Sequence, residues 1–156
     1  LDVDIPLRLI ATNLALSRKT TVELDGTLEH HAFQYGTLHL FATNRFPFSA
    51  QLTLEIVTTD NAVLATLAPG GSISSGQLGF NGLVSSATAT QLDFSVSKEQ
   101  LDLFYPGSAG GVDGARLRIG VVFNTADQTQ HVQLRSDYTI DISASLEGNY
   151  IVNGDE

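Results

Sequence analysis

Four histidines, His30, His31, His39 and His131, are the residues of this chain best suited to holding a metal. Their spacing argues against it. His30 and His31 are adjacent, so on a strand they point to opposite faces and cannot chelate one ion together. No His-x-His or His-x3-His pair is present, and a solvated turn is the simpler reading. The acids pair up as Asp2 with Asp4, Asp137 with Asp141, and Asp155 with Glu156. Asp137 and Asp141 fall on one strand face but about 13 Å apart, too far to share a proton or to flank one scissile bond. Asp60, Asp113 and Asp127 sit in loop-like sequence where calcium could bind, without an EF-hand loop or a repeated Gly-Asp motif around them. No cofactor and no metal is expected.

Nucleophilic chemistry has no better foothold. There is no Gly-x-Ser-x-Gly elbow, and residues 107–114 (GSAGGVDG) lack the Gly-Lys-Ser/Thr ending of a phosphate-binding loop. We expect no catalytic residues and no enzyme. Phe33, Tyr35, Tyr105 and Tyr150 fall outside any clear inward alternation and are candidates for an exposed platform on which a surface glycan could stack. Trp, the side chain best suited to that role, is missing.

The elements that would position these residues are strands. Residues 37–67 read as an alternating strand, an Asn-Arg-Phe-Pro-Phe break, a second alternating strand, an Asp-Asn turn and a third short strand. Period-2 alternation on both sides of a corner indicates antiparallel strands with one face packed and one wet. Asn44, Phe46, Pro47 and Phe48 form that corner: the Asn side chain can close a turn, proline fixes φ, and the two rings can anchor into the interior. Further strands are expected around Val22 and Leu24, Leu92 to Val96, Leu117 to Phe123, and Tyr138 to Leu146. The first run places Val3, Ile5, Leu7 and Leu9 on one face, and Pro6 cannot donate to a ladder, which suits an edge strand or a segment donated to another subunit. One helix is predicted over residues 97–104, because Ser97 and Gln100 have capping-box spacing and Leu101 shares a face with Phe104. Two Gly-rich stretches, 69–82 and 107–114, read as mobile loops. The fold class is all-β: an antiparallel β-sandwich, immunoglobulin-like or a related Greek key, with at most one short helix.

Length and composition agree with a single domain over residues 1–156. A chain of this size buries roughly 70% of its unfolded surface, enough for a core without disulfides. There is no cysteine, hence no thiolate site, and no methionine even at position 1, from which we expect a processed or excised chain. Seventeen acids against eight bases give a net charge of −9, which repels nucleic acid and anionic lipid. No apolar run is long enough for a membrane-spanning helix. The outward strand residues are Asp, Thr, Ser, Arg and Gln, unlike the apolar lipid-facing band of an outer-membrane barrel.

Two resemblances follow from these residues. The block Ala42-Thr-Asn-Arg-Phe-Pro-Phe48, followed by an alternating strand, a turn and Val63-Leu64, resembles the Asn-Pro-Phe-Pro-type signature of LEA-2/WHy-like sandwich domains, with Arg45 in place of the first proline. Over most of its length the chain is similar to uncharacterised envelope lipoprotein domains of the Bacteroidetes type, through its Asp-Ile-Pro-Leu opening, its Asn-x-Phe-Pro-Phe strand pair, and residues 136–142 (SDYTIDI). That likeness implies an exported, non-enzymatic module on the bacterial outer surface or outside the cell. It would act by assembly with other subunits or with itself. The alternatives are a filament or pilus subunit built by strand donation from residues 1–16, and a sugar-binding module.

Overall fold

The computed structural model describes residues 7–9, 17–22, 33–111, 114–125 and 131–150. The fold is all-β, with one short helix among the described residues. In order, the elements are β1 (Leu7–Leu9), β2 (Ser17–Val22), β3 (Phe33–Asn44), β4 (Ser49–Val57), β5 (Val63–Ile73), β6 (Gln77–Leu78), β7 (Val84–Ser86), β8 (Thr88–Ser97), α1 (Lys98–Asp102), β9 (Arg116–Asn124), β10 (Val132–Leu134) and β11 (Ile140–Tyr150).

Two antiparallel sheets form the sandwich-like body: a three-stranded sheet ordered β11-β3-β8 and a four-stranded sheet ordered β2-β9-β4-β5. Two ribbons, β1-β10 and β6-β7, accompany them. The alternation read from the sequence sets which face is buried. Leu38, Leu40 and Ala42 of β3 and Phe94 and Val96 of β8 point inward from one sheet. Ala50, Leu52, Leu54 and Ile56 of β4 and Leu117, Ile119, Val121 and Phe123 of β9 point inward from the other. All belong to one continuous apolar cluster. Fully burying a side chain of this kind contributes about 1.5–3 kcal/mol, so this shared interior is the main source of stability.

The Asp-Asn turn joins β4 to β5: Asn61 takes a positive φ of 65°, and the Thr58 amide donates to the Ala62 carbonyl at 2.9 Å. Helix α1 begins as its capping spacing requires. The Ser97 amide donates to Gln100 Oε1 at 2.9 Å and the Gln100 amide to Ser97 Oγ at 3.4 Å, while Leu101 enters the core at 3% exposure.

Two expectations change. The stretch 69–82 is not one loop. Strand β5 continues through Pro69 and two glycines to Ile73, and β6 follows. Gly71 is there for close approach, since a Cβ at this position would come within 2.3 Å of Leu92 Cδ1 on β8. The described residues of the other glycine stretch, 107–111 and 114, form turns and loop as expected, and polar contacts hold them. Ser108 Oγ donates to the Leu103 carbonyl at 2.8 Å, and the Ala115 amide bonds that same carbonyl at 2.8 Å. Finally, β11 starts at Ile140, so Asp137 lies in the preceding turn and not on the strand face of Asp141.

Candidate functional site

The corner residues fold back on one another. Asn44 is fully buried, yet all of its side chain is satisfied: Nδ2 donates to the Phe48 carbonyl at 2.8 Å and to the Ser74 carbonyl at 2.9 Å, and Oδ1 accepts from the Phe46 amide at 2.8 Å. Pro47 and Phe48 are buried beside it. The Phe46 ring packs 4.7 Å from Phe123 and edge-on to Tyr138 at 6.1 Å. This corner locks the end of β3 to the start of β4 and to the chain leaving β5. Its role is folding.

On the outward face of the three-stranded sheet, His39 stands in the middle strand between two carboxylates. Nδ1 lies 2.7 Å from Asp93 Oδ1 on β8, and Nε2 lies 3.3 Å from Glu147 Oε2 on β11. These bonds, Asp93 first and Glu147 second, raise the His39 pKa above its ordinary 6.5. Asp93 is held below the usual carboxylate value by the Gln91 amide and then by His39. Because the two acids face opposite ring nitrogens, they do not converge on one ion. Among the described residues no group of three His, Cys, Asp or Glu is placed to hold a metal. His131 is exposed elsewhere, and His30 and His31 lie outside the described residues.

The aromatic platform is smaller than expected. Tyr105 is buried at 5% exposure, which removes it as a stacking surface, and its hydroxyl is pushed up by that burial. Tyr35 remains 59% exposed and Phe41 44% exposed. The Tyr35 hydroxyl accepts from Asn149 Nδ2 at 2.7 Å. The side chains of Phe33 and Tyr150 lie outside the described residues.

The feature that sets this sheet apart is its β11 edge. β11 pairs with β3 without a bulge from Ile140↔Asn44 to Asn149↔Tyr35, and among the described residues β3 is its only strand neighbour. Its inward row is Ile140, Ile142, Ala144 and Leu146. One strand further in, Leu38, Leu40 and Ala42 are 2%, 0% and 2% exposed, whereas Ile140, Ile142 and Leu146 are only partly covered and Ala144 is exposed. The opposite edge is closed over at its Phe94–Val96 end, while Leu92 is partly buried like Ile140, Ile142 and Leu146. On β8, Phe94 and Val96 are 1% and 3% exposed, β5 comes close where Gly71 meets Leu92, and the Ser74 amide donates to Thr90 Oγ1 at 3.3 Å. Sequence alternation identified the inward row of β11 but not its missing cover, because cover depends on which strand lies opposite.

Of the first apolar run, Leu7 and Leu9 belong to β1, paired antiparallel with β10 from Leu7↔Leu134 to Leu9↔Val132; Val3 and Ile5 lie outside the described residues. No helix is long and apolar enough to cross a membrane among the described residues. No family model matches the chain, and neither a curated protein nor a solved structure shows significant similarity to it.

Proposed function

We propose that the chain is a non-catalytic β-sandwich module that works by protein–protein assembly, accepting a strand from another subunit along β11. One observation carries this reading: among the described residues, a long, regular sheet edge has an inward apolar row that is only partly covered, beside β3 neighbours that are fully covered. An added strand would gain main-chain hydrogen bonds from the β11 edge, and its alternate side chains would cover Ile142, Ala144 and Leu146. The partner segment is therefore apolar at every second residue and polar between. A location on the bacterial surface or outside the cell is part of the proposal and rests on the envelope-domain resemblance. Assembly by strand donation into a filament is its narrower form. Leu7–Leu9 is held by its own β10, so donation from that segment would exchange three residue pairs.

The test is Ala144→Lys. Ala144 is exposed, so the folded chain should keep its stability to within about 0.5 kcal/mol. A charge at that site, however, would face the apolar side of an incoming strand. Self-association, measured by sedimentation, or capture of a subunit co-purifying from the native source should drop at least tenfold. Unchanged assembly in a folded variant would refute strand addition at β11.

A further inference from the structure

At the end of the sandwich near the Asn44 corner, a cleft of about 240 Å³ opens between three segments: Arg45, residues 83–87 of the β6-β7 ribbon, and the turn carrying Arg135, Asp137 and Tyr138. Its walls are tied together. The Arg45 amide donates to the Thr139 carbonyl at 2.9 Å, and the Gln133 amide to the Gly82 carbonyl at 2.8 Å. The Val84 amide donates to the Tyr138 hydroxyl at 3.0 Å, and Gln133 Nε2 to the Asn81 carbonyl at 2.8 Å. Gly82 makes the approach of the ribbon feasible, with a φ of 75° and a Cβ position only 2.6 Å from the His131 carbonyl. The cleft is thus shaped by the fold before any ligand arrives.

Its lining includes two guanidinium groups and the Tyr138 hydroxyl as donors, with Asp137 as an acceptor. Two of the eight basic residues of a chain carrying −9 net charge line it. The Arg45 guanidinium has no polar partner among the described residues. Arg135 makes one bond through Nε to Asp137 Oδ1 at 3.2 Å, leaving its remaining N–H groups available. The Tyr138 hydroxyl accepts from Val84, so its own proton is free to be donated. A guanidinium fork matches the two oxygens of a carboxylate, and Arg135 already meets one carboxylate oxygen, that of Asp137. The volume lies below that of drug-sized sites and fits a small acid or the acidic end of a larger molecule.

We propose that this cleft binds the carboxylate group of a small ligand, held by Arg45 and Arg135 with the Tyr138 hydroxyl as third donor. Asp137 then acts as an internal competitor for Arg135. This site is separate from the β11 edge, and its test is independent of strand addition. The experiment is an NMR titration of the ¹⁵N-labelled full chain with citrate, acetate, sulfate and chloride at constant ionic strength. Citrate should give saturable shifts at Arg45, Arg135, Tyr138, Ser85 and Ser86, with acetate weaker at the same positions. Arg45→Gln should weaken citrate binding at least tenfold, Arg45→Lys less, and Asp137→Asn should tighten it several-fold. Arg45 and Asp137 are exposed, so these variants should fold, which an unchanged amide spectrum outside the cleft would verify. Equal shifts with chloride, response to sulfate alone, or citrate affinity indifferent to Arg45→Gln would overturn the assignment.

Discussion

Both amide protons of Asn44 go to main-chain carbonyls and its oxygen takes a main-chain amide, the Phe48 bond buried and the Ser74 and Phe46 bonds partly so. Replacing it strands several buried polar groups at once, and each unsatisfied group costs about 1–3 kcal/mol. Asn44→Ala should therefore lower unfolding free energy by about 3 kcal/mol, read from the denaturant midpoint; a loss under roughly 1 kcal/mol would contradict this corner's role. His39 makes a different kind of prediction. Its folded-state pKa is raised above 6.5 by Asp93 and Glu147, so its contribution is fully present below that value and is lost as pH rises through the elevated one. The stability difference between the chain and His39→Gln should shrink as pH is raised from below 6.5 to well above it. A difference that grows or stays constant over that range would refute the ion-pair account. Asn44 was legible in the sequence, since an Asn before an x-Phe-Pro-Phe corner has local work to do. The His39 cluster was not: its partners are 54 and 108 residues away, and only the strand register brings them together.

At the scale of elements, the signals that served best were local and periodic. The even positions of β3, β4 and β8 and the odd positions of β9 face the interior as the alternation required, and the Ser97–Gln100 spacing located α1. Composition misled where glycine has two uses. Pro69, Gly70 and Gly71 look like a turn, yet they continue β5, because the strand must pass closely over Leu92. Tyr105 looked free because it falls outside any inward alternation. It is buried instead where that run folds back through the Ser108 and Ala115 bonds to Leu103. The residues lining the arginine cleft come from three segments, and nothing in any one of them announces the others.

For the whole molecule, asymmetry matters most. Among the described residues one apolar interior is shared by two sheets, covered at the Phe94–Val96 end of β8 and incomplete along β11. Exposed sheet edges of this length are normally shortened, bulged or guarded by Lys or Pro. β11 has neither Lys nor Pro, and its register shift comes only at Asn149/Tyr150. Its charges are the outward-facing Asp141 and Glu147, and a long, regular edge beside an apolar row without full cover is what strand addition requires. The most direct measurement is residue-resolved amide hydrogen exchange on residues 140–148, first in the dilute chain and then in the assembled state. In the dilute chain protection should alternate, slow where an amide bonds β3 and fast at the next residue, and the fast set should become slow on assembly. Uniform protection of every amide in the dilute chain, or a fast set that stays fast in the assembly, would contradict the claim that β11 is the accepting edge.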